Sequence, residues 1–225
     1  MISVQNLTKK YDRKPILDGI NVTFATGKVY GIVGRNGAGK TTFFRCVAGL
    51  EVFQGAIETD IRPFKSMLGL LMAESYFIPK ITGEEYIYLL AEARGVKLTD
   101  VEARNIFDLP LRQYVETYST GMKKKLALTA VLLQKNECFI LDEPFNGLDL
   151  ESSVLLTEII LRLRALGKTI LISSHIFSTL RDVCDTILVL NNGKFETSLD
   201  KEDFGTLEQQ LKEEIISKRI HKLLI

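Results

Sequence analysis

Gly34, Gly37, Gly39, Lys40 and Thr41 are the residues whose types and spacing commit most clearly to a chemistry. In the run Gly34, Arg35, Asn36, Gly37, Ala38, Gly39, Lys40, Thr41, Thr42 they fit G-x-x-x-x-G-K-[ST], the pattern of a phosphate-binding P-loop. Glycine carries no Cβ, so the backbone can approach a polyphosphate closely. Successive N–H groups then form an anion nest, and the N-terminus of a following helix adds partial positive charge. Lys40 supplies a full charge toward β- and γ-phosphates, and the Thr41 hydroxyl is placed to ligate Mg²⁺. A chance glycine turn would lack matching flanks. Here Val29 to Val33 reads as a buried strand and Thr42 to Ala48 as a helix, the order the motif needs.

Two acids form a second group. Asp142 and Glu143 follow the apolar run Cys138 to Leu141, where a P-loop protein needs a carboxylate for Mg²⁺. Adjacent side chains on a strand point in opposite directions, so the pair can divide two roles. Asp142 is expected to hold the metal through its water shell, and Glu143 to accept a proton from an attacking water. A solvated turn before Pro144 is the plainer alternative. His175 lies just past the apolar strand Thr169 to Ser173, on the same expected edge. A lone histidine is more often structural, but a position beside the phosphates favours a γ-phosphate contact. His221, the other histidine, falls in the tail and reads as a surface residue. Ser119 is a candidate N-cap, and Gly121 leaves the backbone open where an anion could sit. An ordinary capped helix explains these two equally well, and Lys123, Lys124 and Lys125 by themselves read as a solvated face.

The elements that must position these groups follow from pattern and punctuation. Ile2 to Leu7, Ile20 to Phe24, Gly55 to Glu58 and Met67 to Met72 read as strands. Asp12 to Pro15 is turn-prone. Helical spacing appears over Gly83 to Arg94, Asp100 to Phe107 and Thr120 to Gln134, which places a helical insertion at roughly 74–134. Strand and helix then alternate through Cys138 to Leu141, Glu151 to Leu166, Thr169 to Ser173 and Ile176 to Asp182. Asn191, Asn192 and Gly193 form a hairpin signal between Thr186 to Leu190 and Lys194 to Thr197. The tail from 207 to 224 places apolar residues near one helical face. The result is an α/β fold: a P-loop core with a mostly parallel central sheet, an N-terminal antiparallel β subdomain and an inserted helical subdomain. Ligands are expected at the strand C-terminal ends.

Composition narrows the classes. The 225 residues are 46% hydrophobic and 25% charged, enough for a sizeable core and against disorder. A formal net charge of +1 argues against a basic nucleic-acid-binding face. Cys46, Cys138 and Cys184 have no C-x-x-C spacing and read as reduced thiols. No signal-peptide pattern opens the chain, and no uncharged apolar run is long enough to span a membrane. The chain is therefore expected to be soluble by itself, which leaves docking on a membrane protein open.

Tyr118, Ser119, Thr120, Gly121 and Met122, placed before Ile140 to Pro144, with Gly147, Leu148, Asp149 and His175 beyond, carry a resemblance. From about Val4 to Glu196 the chain resembles the nucleotide-binding subunit of an ATP-binding cassette (ABC) transporter. The resemblance implies one ABC ATPase domain over 1–225 that hydrolyses ATP with Mg²⁺ and pairs with a second cassette, identical or different. It implies a separate integral-membrane permease, which places the protein at the cytoplasmic face of the cell membrane. It also implies roles. Tyr11 looks like the aromatic that stacks on adenine, and Gly34 to Thr42 like the Walker A loop. Asp142 and Glu143 look like the Walker B metal acid and general base. Ser119, Thr120, Gly121 and Met122 look like the signature that reaches the partner's γ-phosphate, Asp149 like the D-loop acid, and His175 like the switch histidine.

Three departures from the family pattern stand out. Thr120 and Met122 replace a glycine and a glutamine common in the signature, a form similar to bacterial exporters whose ATPase is a separate subunit. Ala73 falls where the Q-loop glutamine belongs, with Glu74 next to it as a candidate metal-sensing carboxylate. Phe145 replaces a small hydroxyl residue after Glu143 and Pro144. Tyr76, Phe77, Ile78, Tyr86 and Tyr88 are candidates for a permease-docking groove, or for helical-subdomain core. A soluble ATPase of the same fold, acting as a regulatory or interaction protein, is the alternative to transport. A GTPase or small-molecule kinase would leave Tyr118 to Met122 without a purpose.

Overall fold

In the computed structural model, residues 1–205 are described. The tail helix expected over 207–224, with His221, lies outside them. Asp12 and Arg13 both take positive φ and reverse the chain between β1 (Ile2–Tyr11) and β2 (Lys14–Phe24). Both strands run further than their apolar alternation suggests, because β1 shifts register against β2 at three points and so breaks the pattern. β3 (Val29–Val33) leads through the glycine loop into α1 (Lys40–Val47). β4 (Gln54–Thr59) returns to pair with β1, giving an antiparallel sheet in the order β2-β1-β4.

After α2 (Phe64–Met67) and β5 (Leu68–Leu71), the chain enters its helical stretch. α3 (Gly83–Glu92) opens with a full capping box, in which Thr82 and Glu85 each satisfy the other's backbone N–H. The helix expected over Asp100 to Phe107 does not form; only one 3₁₀ turn, Glu102–Arg104, is present. Asn105 explains the stop. Its side-chain amide both donates to the carbonyl and accepts from the N–H of Leu109, so it replaces the backbone ladder with a local turn. α4 (Thr120–Leu132) follows as expected.

β6 (Cys138–Leu141), α5 (Leu150–Ala165), β7 (Thr169–Ser174), α6 (Phe177–Arg181), β8 (Thr186–Asn191) and β9 (Lys194–Asp200) complete the order. Asn192 and Gly193, both at positive φ, make the tight turn between β8 and β9. The second sheet runs β5-β6-β7-β3-β8-β9, parallel except for β9. Every residue of β3, β6 and β7 is buried, as continuous apolar runs inside a two-sided sheet must be.

The sheet's period of two builds two cores. Val29, Val33, Phe139, Leu141, Ile170 and Ile172 face one way, into a cluster shared with Tyr86, Leu126, Leu156 and Leu180. Tyr30, Ile32, Cys138, Ile140 and Leu171 face the other, toward Phe43 and Phe44 of α1 and toward Ile2, Leu7, Leu17 and Phe24 of the antiparallel sheet. The three cysteines are buried and unpaired. Burial pushes the Cys46 thiol up to about 11 and that of Cys138 to about 12.

Candidate active site

Strand order decides what meets at the C-terminal edge of the parallel sheet. β7 lies between β6 and β3, with Leu141 opposite Ile172 and Val33 opposite Ser174. The loop after β3, the acids after β6 and the histidine after β7 therefore share one edge, where ligands of open α/β sheets bind.

The loop itself needs its glycines. A Cβ on Gly34 would sit 2.5 Å from the Leu190 carbonyl oxygen, and Gly39 holds φ 108° as the residue before α1. No side chain caps α1. Its first N–H groups therefore have no capping side chain as acceptor, the condition that the anion nest expected from the motif requires. The Lys40 ammonium, in a side chain only 7% exposed, donates to the Gly34 carbonyl at 2.7 Å and lies 3.2 Å from Glu143 Oε1.

Asp142 is wholly buried. Thr41 Oγ1 donates to its Oδ2 at 2.6 Å, and Ser173 Oγ donates to its Oδ1 at 2.6 Å. A hydroxyl and a carboxylate oxygen side by side form the hard-oxygen donor set that Mg²⁺ takes, usually completed by phosphates and water. Asp142 and Thr41 therefore fit that ion.

The two acids diverge for a reason other than strand alternation, since β6 ends at Leu141. Glu143 adopts φ 49°, the left-handed region that non-glycine residues rarely visit. Its N–H is held by Ser173 Oγ at 2.9 Å, and His175 Nδ1 lies 2.9 Å from its Oε2. A carboxylate only accepts, so Nδ1 is the nitrogen that carries the hydrogen. Ser173 had no motif to announce it. Its only signal is register: one step beyond the Leu141–Ile172 pair, Asp142 and Ser173 come alongside each other.

The other expected residues divide. Ser119 caps α4, its Oγ accepting from the Met122 N–H at 3.2 Å; Ser119 and Thr120 are exposed. Gly121 is close-packed within the chain, since a Cβ there would lie 2.7 Å from the Gly147 carbonyl oxygen. Asp149 caps α5 through the Ser152 N–H and pairs with Lys125 Nζ at 2.6 Å. Its carboxyl is held far below the usual range, first by Lys125 and then by the Ser152 N–H. Tyr11, at the end of β1, is 39% exposed.

Glu74 is exposed and makes no polar contact with the described residues. The neighbouring loop is engaged instead by Lys124 of α4, buried, whose ammonium donates to the Ala73 carbonyl at 2.8 Å. Desolvation lowers its pKa, against the opposing charges of Asp142 and Glu143. Lys124 is therefore no solvated-face residue. Of the five apolar candidates for a docking groove, Tyr86 is core, and Phe77 packs on it with ring centroids 4.8 Å apart. Tyr88 is partly buried against the same core, and Tyr76 (80%) and Ile78 (46%) remain exposed.

Comparison with known proteins agrees with this geometry. The family model described as ABC transporter matches residues 17–146. The bacitracin transport ATP-binding protein BcrA of Enterococcus faecalis is 35% identical over 209 residues, 86% of this chain and 67% of its own. The lantibiotic transport ATP-binding protein SrtF of Streptococcus pyogenes is 31% identical over 230 residues, 96% of this chain and 98% of its own. Among solved structures, the dimeric ATP-binding cassette MJ0796 in a post-hydrolysis state, bound to ADP and Pi, is similar in fold. Its TM-score is 0.81 over 89% of this chain and 99% of its own, at 19% identity. A glycine loop, two acids and a histidine on one sheet edge, within a chain so matched, have one reading: this protein belongs to the ABC transporter family, as an ATP-binding ATPase subunit.

Proposed function

We propose that this subunit powers a separate integral-membrane permease by closing in pairs around ATP. The observation that carries the reading is the convergence of Lys40, Thr41, Asp142, Glu143 and His175 at one sheet edge, while Ser119 and Thr120 stand exposed at the start of α4. The chain acts as one ABC ATPase domain, with its helical subdomain at about 74–134.

In this reading the P-loop N–H groups, with Arg35, Asn36, Gly37, Ala38 and Thr42 as its remaining members, surround the phosphates. Lys40 supplies the compensating charge. Tyr11 carries the adenine. Asp142 and Thr41 would hold Mg²⁺, which when bound would draw charge from the phosphates. Glu143 accepts the proton of the attacking water at a carboxylate oxygen. His175 fixes that carboxylate through Nδ1 and turns Nε2 toward the γ-phosphate. Ser119, Thr120, Gly121 and Met122 complete the site of a second cassette, taken to be identical; the dimer of the MJ0796 cassette supports the pairing.

We take the permease to be another polypeptide; no helix among the described residues is long and apolar enough to cross a membrane. Its docking surface is the exposed apolar rim of the helical subdomain, Tyr76, Ile78, Leu89 and Tyr114. This holds the protein at the cytoplasmic face of the cell membrane. The relatives named for bacitracin and lantibiotic transport support a transporter assembly, and we take its direction to be export. Glu143→Gln tests the chemistry. ATP binding should persist, because Lys40, Thr41 and Asp142 remain, while turnover falls about 10²–10⁴-fold. Near-normal steady-state hydrolysis would remove Glu143 from the role of base.

A further inference from the structure

Lys9 and Tyr11 lie two residues apart on β1, so they share a face of the strand. The Lys9 ammonium sits 4.7 Å from the centroid of the Tyr11 ring. It also pairs with Glu51 Oε2 at 2.9 Å and donates to the Val52 carbonyl at 2.8 Å. Glu51 uses its other oxygen, Oε1, to accept from the Tyr11 hydroxyl at 2.9 Å. Arg45 of α1 lies 3.9 Å from the same oxygen. The Lys9 and Glu51 side chains are only 11% and 22% exposed, whereas Tyr11 keeps 39% of its surface open.

From this geometry we infer that Glu51 and Lys9 are positioning residues for the adenine platform, fixing the Tyr11 ring by its hydroxyl and one face and leaving the opposite face for the base. The inference rests on the reading of Tyr11 as the adenine-stacking residue. The physics is pre-organisation. A ring tethered at its far end and covered on one side loses little freedom when a base arrives, so less of the stacking energy is spent on ordering it. The cation on the covered face is held by the ring quadrupole and cannot compete for the open one. Glu51 also links the platform to α1 through Arg45. The charges agree: the Lys9 bond, then the Tyr11 hydroxyl, holds the Glu51 carboxyl below its usual range, and the Glu51 bond raises Lys9.

The test separates base from phosphate. Affinities for Mg-ATP and for Mg-tripolyphosphate, which has no base, are measured by competition against a fluorescent nucleotide on Glu51→Ala, Tyr11→Phe, Tyr11→Ala and the Glu51→Ala, Tyr11→Phe double variant. Because stacking on an aromatic contributes about 1–3 kcal/mol per base, partial loss of orientation should weaken ATP by about three- to tenfold. Tripolyphosphate affinity should stay within about twofold. The double variant should be no weaker for ATP than Glu51→Ala, since both changes remove the same hydroxyl–carboxylate bond. Equal weakening of both ligands would show that Glu51 only supports α1, and unchanged ATP affinity would show that it does nothing; either overturns the inference. If Tyr11→Ala itself leaves ATP affinity intact, the adenine reading fails and the inference with it.

Discussion

Asp142 shows what a single buried side chain requires. It has no exposed surface, yet each oxygen accepts a hydroxyl, from Thr41 on one side and Ser173 on the other. Ser173 has a second task. The same oxygen accepts the N–H of Glu143, whose left-handed φ of 49° must be held in place by its surroundings. One hydroxyl thus orients Asp142, the proposed metal acid, and stabilises the strained turn that aims Glu143, the proposed base. Ser173→Ala removes both bonds without adding bulk. The buried carboxylate oxygen and N–H left unpaired should cost about 1–3 kcal/mol, read by denaturant unfolding. Turnover should fall further than this stability loss explains, with ATP affinity nearly kept. Ser173→Thr, which restores the hydroxyl, should recover part of kcat. A Ser173→Ala enzyme with unchanged kcat would show that Glu143 keeps its aim unaided.

Between elements, the N-terminal half of α4 is fastened to the loop that precedes α5. Gly121 admits the Gly147 carbonyl at a distance that a Cβ would close, and Lys125 of α4 pairs with Asp149, the N-cap of α5. Asp149 therefore joins two helices as well as capping one. Its folded-state pKa is depressed, so its contribution is complete above the ordinary aspartate value and is lost as pH falls through the folded one. Asp149→Ala should lower Tm by a few degrees near neutral pH, and the difference from the parent should shrink in strong acid. A difference that grows on acidification would contradict this account. Much of the layout was legible beforehand because local signals agreed: the glycine loop with its flanks, the apolar runs of β6 and β7, the Asn192–Gly193 turn, the Ser119 cap. What escaped depends on strand order and long-range contact. Ser173 meets Asp142 only because β7 pairs with β6, and Glu51 meets Tyr11 across 40 residues of chain. Lys124 belongs to a lysine run that reads as solvated until α4 packs against the Ala73 loop. Asn105 defeats a helical pattern by a side-chain turn that apolar spacing cannot report.

For the whole molecule, the proposed pairing sets the exposed start of α4 against a phosphate held by another copy. Two chains related by a twofold axis present the same surfaces to each other, so each α4 can face the P-loop of its partner. The γ-phosphate would then lie between Lys40 of one chain and the N-terminus of α4 of the other, where the helix dipole favours an anion. Hydrolysis removes that link, so ATP and ADP should favour different assemblies by as much as they differ in affinity for the closed one. In the Glu143→Gln background, ATP should give a dimer and ADP a monomer, read by size-exclusion chromatography with light scattering. The blocking variant must spare the monomer. Gly121→Asp does not, because its Cβ would strike the Gly147 carbonyl of its own chain at 2.7 Å. Ser119→Asp does, since aspartate caps a helix about as well as serine and can still accept from the Met122 N–H. It places a carboxylate where the partner's phosphate must come, so repulsion should abolish the ATP-dependent dimer while Tm and monomer ATP affinity hold. A Ser119→Asp protein that still dimerises with ATP, or a parent that dimerises equally with ADP, would refute a site shared between subunits. If the natural partner is a different cassette, neither nucleotide will produce a homodimer, and the Ser119→Asp block should appear only in the mixed pair.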